Sequence, residues 1–209
     1  MLITLEVTLL FTVSSAALAV APGPDNIFVL AQSAIHGRKA GILVTLGLCT
    51  GLLFHITAVA LGVAAVIMAS SIAFTILKAA GAGYLLYLAW QAFRAGDARI
   101  DTSNGDVLSA KALYFRGILM NISNPKIAIF FLAFLPQFAD PARGSVAAQI
   151  VILGLLFMGT TLVIFGAIAW ASGRIGVWLR KSYRAQSIMN RTAGMIFLLL
   201  ACRLALSKP

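Results

Sequence analysis

Charge is scarce in this chain, and acidic charge is scarcer still. Charged residues make up 11% of the 209 residues, and only six are Asp or Glu. A soluble domain carries about a quarter charged residues, so a soluble globular domain is excluded. A disordered chain is excluded too, because it needs high charge and low hydrophobicity. Cysteine is limited to Cys49 and Cys202, both inside apolar runs. Two such cysteines build neither a disulfide framework nor a metal site. The two histidines, His36 and His55, are not spaced as H-E-x-x-H, which removes that zinc hydrolase signature. Neither a nucleophile elbow G-x-S-x-G nor a P-loop G-x-x-x-x-G-K-S/T occurs. No enzyme activity and no cofactor is therefore expected.

What is abundant is apolar surface. Hydrophobic residues reach 61%, and mean hydropathy is +0.98. These values read as an all-α integral membrane protein. At about 20 residues per span there is room for about six transmembrane helices and no separate soluble domain. The net charge of +10 suits loops kept in the cytoplasm rather than a nucleic-acid surface. The N-terminal run has no Lys or Arg before it, carries Glu6 and is about 20 residues long. It reads as a retained span rather than a cleaved leader.

Residues 7–24 form the first span, which ends in Pro22-Gly23-Pro24-Asp25-Asn26, a helix-breaking sequence. A second apolar piece, Ile27 to Ile35, closes at the basic turn His36-Gly37-Arg38-Lys39. Residues 40–77 contain no Asp, Glu, Lys or Arg. That is too long for one span, so a turn is placed at Ser70-Ser71, between a span at about 40–68 and one at about 72–93. Residues 94–110 are polar and read as a loop. A fourth, broken span follows, interrupted at Asn124-Pro125, with Pro136 and Pro141 bracketing a short turn. Residues 144–173 give span five and residues 188–206 the last one. Loops on one side then hold eleven Lys and Arg against three on the other, which makes the first side cytoplasmic. Trp90, Trp170 and Trp178 lie beside Arg94, Arg174 and Arg180, as interfacial aromatics do.

Pro24 and Pro125 lie about 100 residues apart, each beside small polar residues and ahead of about ten apolar ones. Three spans precede the middle loop and three follow it. An odd number of spans inverts the second copy. The expected architecture is a 3+3 inverted repeat with helices 1 and 4 broken: repeat one at 1–93, the loop at 94–110, repeat two at 111–209, in a single transporter domain over 1–209. In such repeats the substrate site lies where the two broken helices meet. A proline frees carbonyls and starts a new half-helix whose N–H groups attract anions. Irregular backbone persists at membrane depth only around a protein-enclosed cavity.

The segments GPDNIFVLAQSAIHGRKAG (23–41), AGYLLYLAW (82–90), NPKIAIFFLAFLPQF (124–138) and GMIFLLLACRLAL (194–206) resemble signature segments of the LysE/RhtB amino-acid exporters. The resemblance spans essentially the whole chain. It implies a multi-pass exporter of amino acids or close derivatives in the bacterial inner membrane, driven by the proton gradient. Neutral substrates such as homoserine, threonine or leucine are favoured. The alternative is a metal-ion or other small-solute exporter or channel of the wider superfamily. A divalent ion wants clustered carboxylates, His or Cys, and Asp25, Glu6 and His55 are scattered in sequence.

A charge at mid-membrane costs at least about 2.5–3.5 kcal/mol, so each one calls for a role. Asp25 pairs with a substrate ammonium or carries the coupling proton; equally, it caps the half-helix beginning near Asn26. Lys126 binds a substrate carboxylate, or pairs with Asp25 structurally. Asn26, Asn124 and Pro125 complete the candidate binding set, with Pro22, Gly23 and Pro24 as structural breaks. His55 and Glu6 join Asp25 as candidates for proton coupling, against plainer readings as a packing residue and an outer-interface residue. Lys78 reads as reaching to the outer interface. Gln32, Asn121 and Gln137 are candidates to line the path. Gly47 and Gly51 form a G-x-x-x-G pair for close helix packing, either internal or between copies in a homo-oligomer.

Overall fold

The computed structural model describes residues 2–21, 23–69, 71–94, 108–171 and 183–206. These residues fold into helices, and no strand occurs among them. In chain order they are α1 (Leu5–Val20), α2 (Pro24–His36), α3 (Arg38–Ala69), α4 (Ser71–Arg94), α5 (Ala110–Ile122), α6 (Pro125–Ile129), α7 (Val146–Ala171) and α8 (Tyr183–Leu206). After α6 the chain runs through a π-helical turn, Phe130–Phe134, and 3-10 turns at Leu135–Phe138 and Pro141–Arg143. Pro22, Ser70, most of the polar middle loop, and the basic segment with Arg174, Trp178, Arg180 and Lys181 lie outside the described residues.

α3, through Arg38–Gly62, and α7 are each long and apolar enough to cross a membrane. The pair α1–α2, bent by 60°, and the pair α5–α6 with its continuation to Phe138, bent by 48°, each pass the same test as one span. Counting each bent pair as one rod, the described helices make six rods. The exterior is apolar: Leu61, Val163 and Leu199 all stand exposed. A surface of that kind suits lipid rather than water.

Local chemistry explains the helix ends. Thr4 caps α1 by accepting from the Val7 N–H at 3.2 Å. Along α1 the hydroxyls of Thr8, Thr12, Ser14 and Ser15 donate to carbonyls four residues back at 2.7–2.9 Å. In that way no hydroxyl hydrogen is left facing lipid. Pro24 stands at the first position of α2, where its missing N–H costs nothing. α2 ends at Gly37, whose φ of +83° allows the chain to reverse into α3. Ser109 caps α5, accepting from the Ala112 N–H at 3.2 Å. The π turn lies just before Pro136, with the Leu135 N–H reaching back five residues to the Phe130 carbonyl. A proline at 136 has no N–H to donate and crowds the carbonyl four residues back, so the regular ladder cannot continue.

Without a hydrophobic force between helices in lipid, close packing requires small residues. The α3–α5 crossing shows this. A Cβ on Gly47 would collide with the Tyr114 carbonyl, one on Gly117 would lie 2.5 Å from the Val44 carbonyl, and one on Gly51 would lie 2.8 Å from Asn121 Cβ. The G-x-x-x-G pair is thus used inside the chain, against the rod that carries the second break. α3 also packs on α7, α4 on α8, α2 on α3, and α1 on α7 and α8.

Two apolar clusters fill the interior. The larger is aromatic, built around Phe11, Phe130, Phe131, Phe134, Phe138 and Phe157. The smaller is aliphatic but for Phe165, and includes Val29, Val44, Leu48 and Leu113. Beyond the larger cluster the turn at 139–145 is clamped by the buried Gln149, which donates to the Asp140 carbonyl at 2.8 Å and accepts from its N–H at 2.9 Å. Lys78 departs from expectation. It is buried, so its stem does not run outward along a lipid-facing surface. The helix packing around α4 encloses it.

Candidate functional site

The two breaks meet. Asp25, Asn26, Asn124 and Lys126 are all buried, each less than 8% exposed, although they come from opposite halves of the sequence. Pro24 and Pro125, which stand at the start of their half-helices, are exposed. Pro22 is outside the described residues.

The end of α1 leaves carbonyls without intrahelical partners, and two side chains from different rods take them. Asn26 Nδ2 donates to the carbonyls of Ala19 at 3.1 Å, Val20 at 3.3 Å and Ala21 at 2.8 Å. Lys126 Nζ donates to Leu18 at 3.2 Å and Ala21 at 3.1 Å. The ammonium therefore sits at the negative end of the α1 dipole, where a cation is stabilised. Gly23 makes room for it: a Cβ there would lie 2.9 Å from Lys126 Nζ and 3.6 Å from Asn26 Oδ1. These carbonyl contacts come in addition to the Asp25 charge that Lys126 faces. Its ammonium donates to backbone carbonyls, whereas Arg143 and Asp140 form an ion pair at 3.3 Å in the turn before α7.

Asp25 lies in the first turn of α2. It faces the Lys126 charge and the amides of Asn124 and Asn121. Asn124 caps α6, its Oδ1 accepting from the Lys126 N–H at 3.0 Å, so its backbone role is filled. Four buried polar atoms of this cluster nevertheless lack a hydrogen-bond partner: Asp25 Oδ1, Asn26 Oδ1, Asn121 Oδ1 and Asn124 Nδ2. Buried polar atoms are normally paired, and the Asp25 carboxyl and the Asn124 amide, both in this group, face each other across the breaks.

His55 on α3 donates from Nε2 to the Asn121 carbonyl at 3.1 Å and packs on Phe131 with ring centroids 5.8 Å apart. It adjoins the second break from behind. Glu6 is at the other end of α1, exposed, and faces Arg203; it is not brought to the breaks. Gln32 lies along α2 with a buried, unpartnered Oε1. Asn121 proves to be a member of the cluster. Sequence reasoning missed the carbonyls of Leu18 and Ala21 as partners of Lys126. It also missed Thr161 on α7, whose buried hydroxyl is unpartnered. Thr160 stands beside it and Gln149 lies in the same uncharged run, so no signal in the sequence singles it out. No group of three metal-ligating side chains occurs among the described residues.

The molecule's ends also differ. Arg38 lies 5.0 Å over the Trp170 ring, Arg94 4.8 Å over Trp90 and Arg116 5.0 Å over Phe28, contacts of the cation–π kind. Trp170 is thus met by Arg38, whereas its sequence neighbour Arg174 lies outside the described residues. Arg203 covers Phe138 at 4.6 Å beside the aromatic cluster.

A family profile described as LysE type translocator matches residues 16–208. The chain is 33% identical over 202 residues to a homoserine/homoserine lactone efflux protein of Salmonella typhimurium, covering 97% of each chain. It is 31% identical to a membrane protein of Vibrio cholerae, covering 98% of each. A leucine efflux protein of Enterobacter sp. is 26% identical, with 93% of each chain covered. No solved structure matches the chain.

Proposed function

The chain belongs to the LysE type translocator family, and from that premise we propose that it is a proton-coupled exporter of neutral amino acids or close derivatives. It is a multi-pass membrane protein of transporter kind, and the proposed setting is the bacterial inner membrane. The relatives named for homoserine, homoserine lactone and leucine efflux support the substrate class. The observation that carries the reading is the buried cluster at the breaks, where a carboxylate from one half and an amine from the other lie among orphaned polar atoms.

The proposed architecture is six spans in two inverted halves. Its support is reciprocal packing: α3 meets α7 and α4 meets α8, while α1 meets α7 as α5 meets α3. The proposed orientation puts the end bearing Arg38, Arg94 and Arg116 in the cytoplasm. Both termini then face outward, and the phenylalanine cluster closes the outer side.

In the proposed cycle, ionised Asp25 holds the substrate ammonium. Protonation of Asp25 from the outside cancels that attraction and releases substrate outward. Loss of the proton to the cytoplasm restores the carboxylate, so one proton moves in as one substrate moves out. The test is an efflux panel. Cells with and without the gene, preloaded with homoserine, threonine, leucine or lysine, should differ for a neutral member, and an uncoupler should abolish the difference. Equal efflux for all four, or efflux indifferent to the uncoupler, contradicts the proposal.

A further inference from the structure

We propose that Thr161 on α7 is a selectivity residue of the transport site, its hydroxyl hydrogen-bonding a polar group on the side chain of the exported amino acid. This rests on the exporter reading above and adds a residue from a third rod to the two that carry the breaks.

The hydroxyl breaks a rule that this molecule otherwise keeps. Thr8, Thr12, Thr45, Thr50, Thr57 and Thr160 each donate to the carbonyl four residues back, at 2.8–3.0 Å. That local bond is how a helical threonine satisfies itself away from water. Thr161 is 4% exposed, and its Oγ1 has no hydrogen-bond partner. Its neighbour Thr160 makes the bond one position earlier on the same helix, so the helix itself does not forbid it. A buried hydroxyl left unpaired weakens the fold, which gives the residue no structural reason to be a threonine.

Position supplies the other half of the argument. Phe157, Thr161 and Phe165 follow one another at four-residue steps on the buried face of α7. Phe157 packs on Phe130 and Phe131, with ring centroids 5.3 and 5.2 Å apart. Phe130 is one turn beyond Lys126. Phe165 belongs to the other cluster, with Ala19 and Val29. Val29 is one turn beyond Asp25. The two half-helices lead away from the breaks, and α7 meets one through Phe157 and the other through Phe165. Thr161 stands midway, at the level of the breaks. Residues 144–173 carry no charge, so this rod offers nothing to the charged ends of an amino acid. A neutral hydroxyl between two rings suits the neutral end instead. It can donate and accept at once, and so pairs with a hydroxyl on the substrate as well as with a carbonyl.

The test compares substrates that differ by one hydroxyl. Initial efflux rates of L-threonine against L-valine, and of L-homoserine against L-norvaline, are measured in preloaded cells with and without the full-length protein. The wild type should favour the hydroxyl-bearing member of the better-transported pair. Thr161→Val keeps the branched shape and removes the hydroxyl. It should lower that preference about tenfold, the scale of one neutral hydrogen bond, and Thr161→Ser should restore it. Melting of purified Thr161→Val in detergent should be unchanged or higher, because the group removed has no partner. A preference unmoved in Thr161→Val overturns this inference and leaves the exporter reading standing. A lowered melting midpoint with both rates reduced equally overturns it too, since that marks a structural hydroxyl. If the wild type exports none of the four, nor leucine or lysine, both readings fall.

Discussion

The two breaks are closed in different ways. At the first, the carbonyls at the end of α1 are taken from afar: Lys126 reaches Leu18 and Ala21 across more than a hundred residues of sequence, and Asn26 reaches back over the turn. At the second, the end of α5 is closed mostly from within. The Ser123 N–H bonds the Leu119 carbonyl at 3.0 Å, and its hydroxyl bonds the same carbonyl at 2.8 Å. Asn124 caps its own helix, and His55 alone comes from another rod. Beyond the breaks the contrast continues. α2 is a regular helix of 13 residues, whereas α6 passes after five into a π turn among phenylalanines. The first break depends on the second half for its integrity, and a break held by a remote side chain can be loosened by moving either rod.

That difference is open to direct attack. Lys126→Met should have the largest effect, although residue 126 belongs to the second break. It leaves the α1 carbonyls short of a donor and Asp25 facing no charge, a loss of about 3 kcal/mol by analogy with broken buried pairs. Thermal unfolding in detergent measures it, and an unchanged midpoint would remove the dependence claimed here. Asn26→Ala should follow at about 2 kcal/mol, since it strands carbonyls that water cannot reach. Gly23→Ala meets no backbone objection, because its φ of −172° suits any residue. Its cost, about 1–2 kcal/mol for overpacking, comes from pushing Lys126 off its carbonyls. Gly159→Ala, with nothing within 4 Å, is the control. Ser123→Ala should do least, about 0.5 kcal/mol or below, because the residue is exposed and its backbone bond survives.

Much of this was legible before any coordinates. Uncharged runs located the rods, prolines at 24 and 125 located the breaks, and Gly47 with Gly51 announced a close crossing. These are local signals, readable along one dimension. What escaped depends on how rods cross. A proline says that carbonyls are freed, but not that the ammonium of Lys126 will arrive to take them. The apolar run after Pro125 hides a π turn, because hydropathy does not register a change of helical pitch. The burial of Lys78 follows from packing around α4 that no single helix encodes. Nothing in the sequence singles out Gln149, and only the folded turn shows it holding Asp140.

The central claim is that the carboxylate at the first break is the group that exchanges a proton for a substrate ammonium. Asp25→Asn tests it most directly, because the amide keeps the shape and loses the charge. The variant should insert and fold at normal yield yet show no gradient-driven efflux in preloaded cells. Full efflux by Asp25→Asn, still abolished by an uncoupler, would contradict the account.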